Sequence, residues 1–139
     1  MIIQRVLFVA FYVVSFSPSS SQSLEGEWEG WYSLNNYAKD TALIKLQFHF
    51  NKDSTYDVYS FTKFKNDKTV CKMSYKMLNN RTIYLKENEL VRTNNNSIDY
   101  LFQKMTLKFD PTSKSMQGKW SSKMGKVKYT GSVSFSKKI

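Results

Sequence analysis

The chain has 139 residues, 41% of them hydrophobic and 16% aromatic, with only 5 Gly and 2 Pro; this excludes intrinsic disorder, collagen-like repeats and linker sequence, and leaves room for one domain. A single Cys and a single His exclude an internal disulfide framework, a thiolate-rich metal centre and a multi-histidine metal site. The formal charge is +10, but beyond residue 23 it rests on Lys, with Arg81 and Arg92 the only arginines, which speaks against a nucleic-acid reader built on bidentate arginine contacts.

Residues 1–23 read as a targeting segment. Arg5 precedes an apolar run from Val6 to Phe16, and Ser17–Ser23 form a small, polar tail. A basic start, a short apolar stretch and a small-residue end describe a secretory signal peptide. The run is too short to span a bilayer, which takes roughly 20 apolar residues. Cleavage is expected near residues 21–23, giving a secreted or periplasmic protein whose single domain covers residues 24–139. No Cys follows the apolar run, so a bacterial lipoprotein anchor is not expected.

The rest of the chain alternates with a period of two, the mark of half-buried strands. Leu24, Gly26, Trp28, Gly30 and Tyr32 share one face, against Glu25, Glu27 and Glu29 on the other. Ile44, Leu46, Phe48 and Phe50 alternate with Lys45, Gln47 and His49. Asn51–Ser54 is a turn. Thr55–Phe64 has mixed phase, with Tyr56 and Val58 on one side and Tyr59 and Phe61 on the other; a bulge or an apolar outer surface would explain it. Lys65–Lys68 is the next turn.

Cys71, Met73, Tyr75 and Met77 then share a face, Asn79-Asn80 makes a tight turn, and Thr82–Lys86 is a short strand. Glu87–Ser97 is the longest polar stretch and reads as loop, with brief pairing at Leu90-Val91. Leu101, Met105, Leu107 and Phe109 face inward before the turn at Asp110–Ser113, where Pro111 presets the backbone. Met116, Gly118 and Trp120 follow, and Val127, Tyr129, Gly131, Val133 and Phe135 line the inner face of the last strand.

These segments make eight or nine strands. Loops this short cannot carry parallel crossovers, so neighbours are antiparallel. An all-β single meander barrel hides both the inner face and the edges; a two-sheet sandwich is the alternative.

An apolar-x-Gly-charged-Trp pattern occurs twice, at Leu24–Trp28 and Met116–Trp120. Glycine two positions before an inward Trp leaves space for the indole, and the acidic first copy would pair with the basic second copy if the two strands met at closure. The first copy resembles the Gly-x-Trp of the opening strand in lipocalins and other calycin-type barrels. The sequence from residue 24 onward is also similar to small secreted β-barrel proteins of Bacteroidetes-type bacteria, with Leu85-Lys86-Glu87 and Gly118-Lys119-Trp120 matching their central and closing motifs. The resemblance implies a lipocalin-like barrel. It departs from lipocalins in ending at its last strand, with no closing helix, and in having Cys71 alone.

Catalysis finds little support in the residue inventory. His49 points outward with Lys45 and Gln47, and Cys71 lies on an apolar face. Glu87 and Glu89, read as in or beside a loop, are the only carboxylate pair worth weighing for glycosidase chemistry. No Gly-rich phosphate loop or acidic calcium loop is present. Asn80-Arg81-Thr82 and Asn95-Asn96-Ser97 fit the N-glycosylation triplet, which matters only in a eukaryotic host.

No enzymatic activity, metal or cofactor is therefore expected. The leading expectation is a barrel that binds a small apolar or amphipathic molecule inside, with Trp28 and Trp120 closing one end and Phe48, Tyr75 and Met105 lining the wall. The alternative is a filled barrel acting through its surface as an adhesion, envelope-associated or inhibitor module. Nine Lys and one acid (Asp110) between Tyr100 and Ile139 would then meet an anionic surface, either polysaccharide or lipid headgroups. Nucleic acid is not an expected partner. Ligand identity and oligomeric state leave no mark in the sequence.

Overall fold

The computed structural model describes residues 24–34, 37–94 and 102–138; the expected signal peptide, Leu101 and the second glycosylation triplet lie outside them. The described chain forms eight strands: β1 (Gly26–Leu34), β2 (Tyr37–Phe50), β3 (Tyr56–Phe64), β4 (Asp67–Asn79), β5 (Thr82–Thr93), β6 (Gln103–Asp110), β7 (Ser115–Met124) and β8 (Val127–Lys137). Each pairs antiparallel with the next, and β1 pairs with β8, so the sheet is a closed barrel. Closure removes both edges, and the sandwich alternative falls away.

Alternation decides which residues enter the lumen. In β6 the pattern is strict: Gln103, Met105, Leu107 and Phe109 are buried, and the residues between them are exposed. The mixed phase of β3 has its answer in the outer wall. Its pairing with β2 and β4 shows no register shift, so Tyr59 and Phe61 sit outside, half-buried among neighbouring outer side chains.

From Glu87 to Thr93 the polar stretch is strand, not loop. Among the described residues, β5 continues beyond Lys86 to Thr93 against β4, with register shifts between Lys72/Met73 and between Val70/Cys71. Met73 faces Glu87 while Lys72 faces Glu89, and Cys71 faces Leu90 while Val70 faces Arg92. Asn88 and Val91 are therefore the extra, bulged residues. Two bulges in six residues erase the period of two, which is why the sequence pattern ends early there.

Both tandem Gly-x-Trp copies are in the wall, but β1 and β7 do not meet. The acids of β1 pair elsewhere: Lys45 lies 3.9 Å from Glu27 and 3.8 Å from Glu29, and Lys138 lies 3.9 Å from Glu29. Nor does Gly118 serve to make room for an indole. A Cβ there would sit 1.8 Å from the Thr106 carbonyl oxygen, and one at Gly30 would sit 2.0 Å from that of Ser134. Glycine at these two places lets neighbouring strands approach where the sheet coils tightly.

The end of the barrel that holds the β2–β3 and β4–β5 turns, here called the lower end, is packed with rings. Trp28 is fully buried, meets Phe109 edge-on at 5.6 Å and donates its indole N–H to the Leu24 carbonyl at 3.0 Å. Tyr56 meets Phe48, Phe50 and Tyr75 at 5.7, 5.2 and 5.8 Å, and Tyr75 accepts a hydrogen bond from the Tyr56 backbone N–H at 3.0 Å. Ile83, Leu85, Leu107, Met116, Val133 and Phe135 complete this half of the core.

Candidate functional site

The lumen changes character toward the upper end. Where the lower half presents Trp, Phe, Tyr and Met, the upper half presents Ala42, Ser60, Thr62, Thr69, Cys71, Gln103, Ser122 and Gly131, all buried. The large side chains beside them are Tyr32 and Trp120, which meet at 4.6 Å with planes 63° apart, the buried Ile44 across from Thr62, and the partly buried Tyr129 across from Ser122.

At the middle of this upper half lies Glu87, with no exposed surface. Its position follows from alternation: Ile83, Leu85 and Glu87 occupy successive inward places on β5 before the first bulge. A carboxyl group taken out of water must be hydrogen-bonded. Here the Ser60 hydroxyl donates to Oε2 and the Gln103 backbone N–H donates to Oε1 at 2.9 Å. The second bond has a topological cause. Among the described residues, pairing between β5 and β6 stops at Lys86 and Lys104. The next place on the ladder would join Glu87 to Gln103, and the Glu87 side chain takes over that amide as the strands part.

The Gln103 side chain extends the network, donating from Nε2 to the Tyr32 hydroxyl at 3.0 Å. Burial pushes the Tyr32 phenol up to about 12; the Gln103 hydrogen bond offsets part of the rise and the neighbouring Glu87 charge adds to it. Burial likewise raises Tyr56, at the lower end, to about 12.

A raised phenol pKa has a defined consequence for stability. An unfolded tyrosine releases its proton near pH 10, while these two hold theirs to about pH 12. The stability they contribute is complete below pH 10 and drains away between pH 10 and 12 as the unfolded state binds fewer protons than the native one. Denaturant midpoints measured across that range should fall for the native sequence and fall less for Tyr32→Phe.

The five residues singled out from sequence do not converge. Trp28 and Phe48 belong to the packed lower end, and Tyr75 packs there on Tyr56, half-buried. Met105 and Trp120 are cross-strand partners, buried on the wall that leads to the upper half. The two inward tryptophans lie at opposite ends: Trp28 pairs with Lys137 at the lower end of β8, and Trp120 with Gly131 toward its upper end. They do not close one end together. His49 is exposed, and Cys71 is buried in the lumen wall.

Sequence reading missed Glu87, Gln103, Ser60 and Tyr32 as a group. Carrying the Ile83-x-Leu85 alternation one step further would have placed Glu87 inside. Its Ser60 partner is 27 positions away and leaves no local signal.

The fold and the network define the class: a closed, eight-stranded antiparallel meander barrel with a polar upper lumen. Comparison with protein-family models, curated proteins and solved structures returned no match.

Proposed function

We propose that this is an exported, lipocalin-like binding protein, not an enzyme, that takes a small amphipathic molecule into the upper half of its lumen. The observation that carries this reading is the change of lining. An eight-stranded barrel has an interior that side chains just fill or that holds one small ligand. In the upper half Ser, Thr, Ala and Gly share the lining with Tyr32, Trp120 and Ile44, and a wall of shorter side chains would give way to a small ligand more readily than the packed rings below. A ligand's apolar body would lie against Trp120 and Met105 and its polar end toward Tyr32, Gln103 and Glu87, all but Tyr32 buried, so binding would require these side chains to move aside. This combination of an apolar wall and a few fixed polar groups is how small-molecule sites obtain both affinity and orientation.

The chemistry of Glu87 selects among ligands. A carboxyl group facing the lumen favours a hydroxyl or amine and disfavours a carboxylate. Intrinsic fluorescence should therefore show a saturable change on titration with long-chain alcohols, retinol or long-chain amines, with fatty acids of equal length weaker by about tenfold, the equivalent of about 1.4 kcal/mol. The Trp120→Phe variant should lose the signal while Trp28 and Trp31 remain. Absence of saturation with every probe, or an unchanged signal in Trp120→Phe, would overturn the proposal.

A further inference from the structure

The barrel register assembles a second feature on the outside of the wall. Lys108, Gln117, Ser134 and Trp31 are successive cross-strand partners on β6, β7, β8 and β1, so they form one row of about 14 Å across the sheet, three strand spacings. Trp31 is 60% exposed, while its neighbour Ser134 is short. The result is an open groove of about 920 Å³ with Trp31 on one side, Lys108 and Lys119 on the other, and Arg81 at its lower edge. Its floor carries Gln117, Ser132 and Ser134, and Lys119 Nζ reaches the Ser132 hydroxyl at 3.4 Å. A second groove of about 390 Å³, lined by Lys104, Lys119 and Lys128, meets the first at Lys119.

The charges on this face are arranged against the barrel's own stability. Lys86 lies directly across from Lys104, and Lys123 directly across from Lys128. Like charges opposite one another on a sheet are unfavourable. Among the described residues, the ion pairs on this barrel involve Lys45 and Lys138 with Glu27 and Glu29, away from β5–β7. Asp110, at the groove's lower edge beside Arg81, is the acid that lines it; bonds from Ser113 and the Thr112 backbone hold its carboxyl below the usual range, with Arg81 contributing.

We propose that this face binds an acidic polysaccharide. The cations would neutralise carboxylate or sulfate groups along the chain, the serine, threonine and glutamine side chains would hydrogen-bond its hydroxyls, and the Trp31 ring would carry the apolar face of one sugar. A bilayer would meet the lysines, but its headgroups would not follow the row of side chains that runs from Lys108 through Gln117 and Ser134 to Trp31. The site is separate from the lumen and does not depend on what the lumen holds.

The test is affinity electrophoresis and fluorescence titration of the purified protein with polygalacturonate and dextran sulfate. Neutral dextran and phosphatidylglycerol vesicles are the comparisons. Expected are retention by both acidic polymers, none by neutral dextran, and loss of retention between about 0.05 and 0.5 M NaCl as the exposed charges are screened. Lys108→Gln with Lys119→Gln should weaken binding about tenfold, a modest loss because both charges are exposed. Trp31→Ala should remove the fluorescence change and weaken binding of both polymers. These substitutions are on the surface, so an unchanged thermal midpoint identifies them as folded. No retention by either polymer, equal binding by the lysine variant, or stronger binding to the vesicles at equal charge would overturn the proposal.

Discussion

Trp28→Ala is expected to cost about 3–5 kcal/mol, the usual range for deleting a buried aromatic side chain. The indole has no exposed surface, sits edge-on to Phe109 at 5.6 Å, and ties the chain ahead of β1 to the barrel through its bond to the Leu24 carbonyl. Lys137 also lies over the ring at 5.6 Å; burial pulls its ammonium below the ordinary lysine range, Lys114 adds to that fall, and Glu25 opposes it. Removing the ring thus opens a cavity, frees an N-terminal segment anchored by the buried Leu24, and leaves Lys137 without its aromatic partner. For a domain of this size the thermal midpoint should fall by about 15–20 °C. Trp28→Phe separates the causes: it keeps most of the volume and loses the bond, and should cost about 1–2 kcal/mol. Trp31→Ala, with 60% of the side chain already in water, should change stability by less than about 0.5 kcal/mol. A Trp28→Ala protein as stable as the native one would show that the lower end is not the barrel's packed core.

The second large effect is expected at Glu87. Glu87→Leu keeps the size and removes both acceptors, stranding the Ser60 hydroxyl and the Gln103 backbone N–H in the interior. Each stranded donor costs about 1–3 kcal/mol, so a net loss of about 2–4 kcal/mol is expected after the gain from a more apolar side chain. Glu87→Gln keeps an acceptor for Gln103, and the Ser60 hydroxyl can turn to accept from its amide, so the loss should be about 1 kcal/mol. Chemical denaturation checks both. Amide hydrogen exchange at Gln103 is the more specific readout, because the Glu87 side chain accepts from that N–H where β5 and β6 part. Faster exchange at Gln103 in Glu87→Leu, with slow exchange kept at Met105, is the expected pattern. Equal stability of the leucine variant would mean that the network adds nothing to the fold and would leave its polar character to ligand binding alone.

Alternation alone was enough to place Trp28, Ile44, Leu46, Phe48, Met105, Leu107 and Phe135 inside, because in a sheet the side-chain period is a backbone property that needs no knowledge of the partner strand. Short polar turns at Asn51–Ser54 and Asp110–Ser113 likewise announced antiparallel neighbours. Glu87 was lost for a physical reason too: the bulges that follow it, at Asn88 and Val91, break the alternation, so Glu87 reads as the first residue of a polar loop and not as the last inward place of a strand.

What closure brings together lay beyond the linear pattern. Ser60 and Glu87, Tyr32 and Gln103, Trp31 and Lys108 are far apart along the chain and meet only once the register of eight strands is set. The sequence determined which residues alternate, where the chain turns and how much positive charge its last third carries. Only the tertiary structure decided that Trp28 and Trp120 stand at opposite ends, that a carboxyl group is sealed in the lumen, and that a tryptophan stands across a groove from the lysines. Alternation is local and each strand carries it by itself, whereas neighbourhood across a barrel depends on the shear between strands, which no single segment encodes.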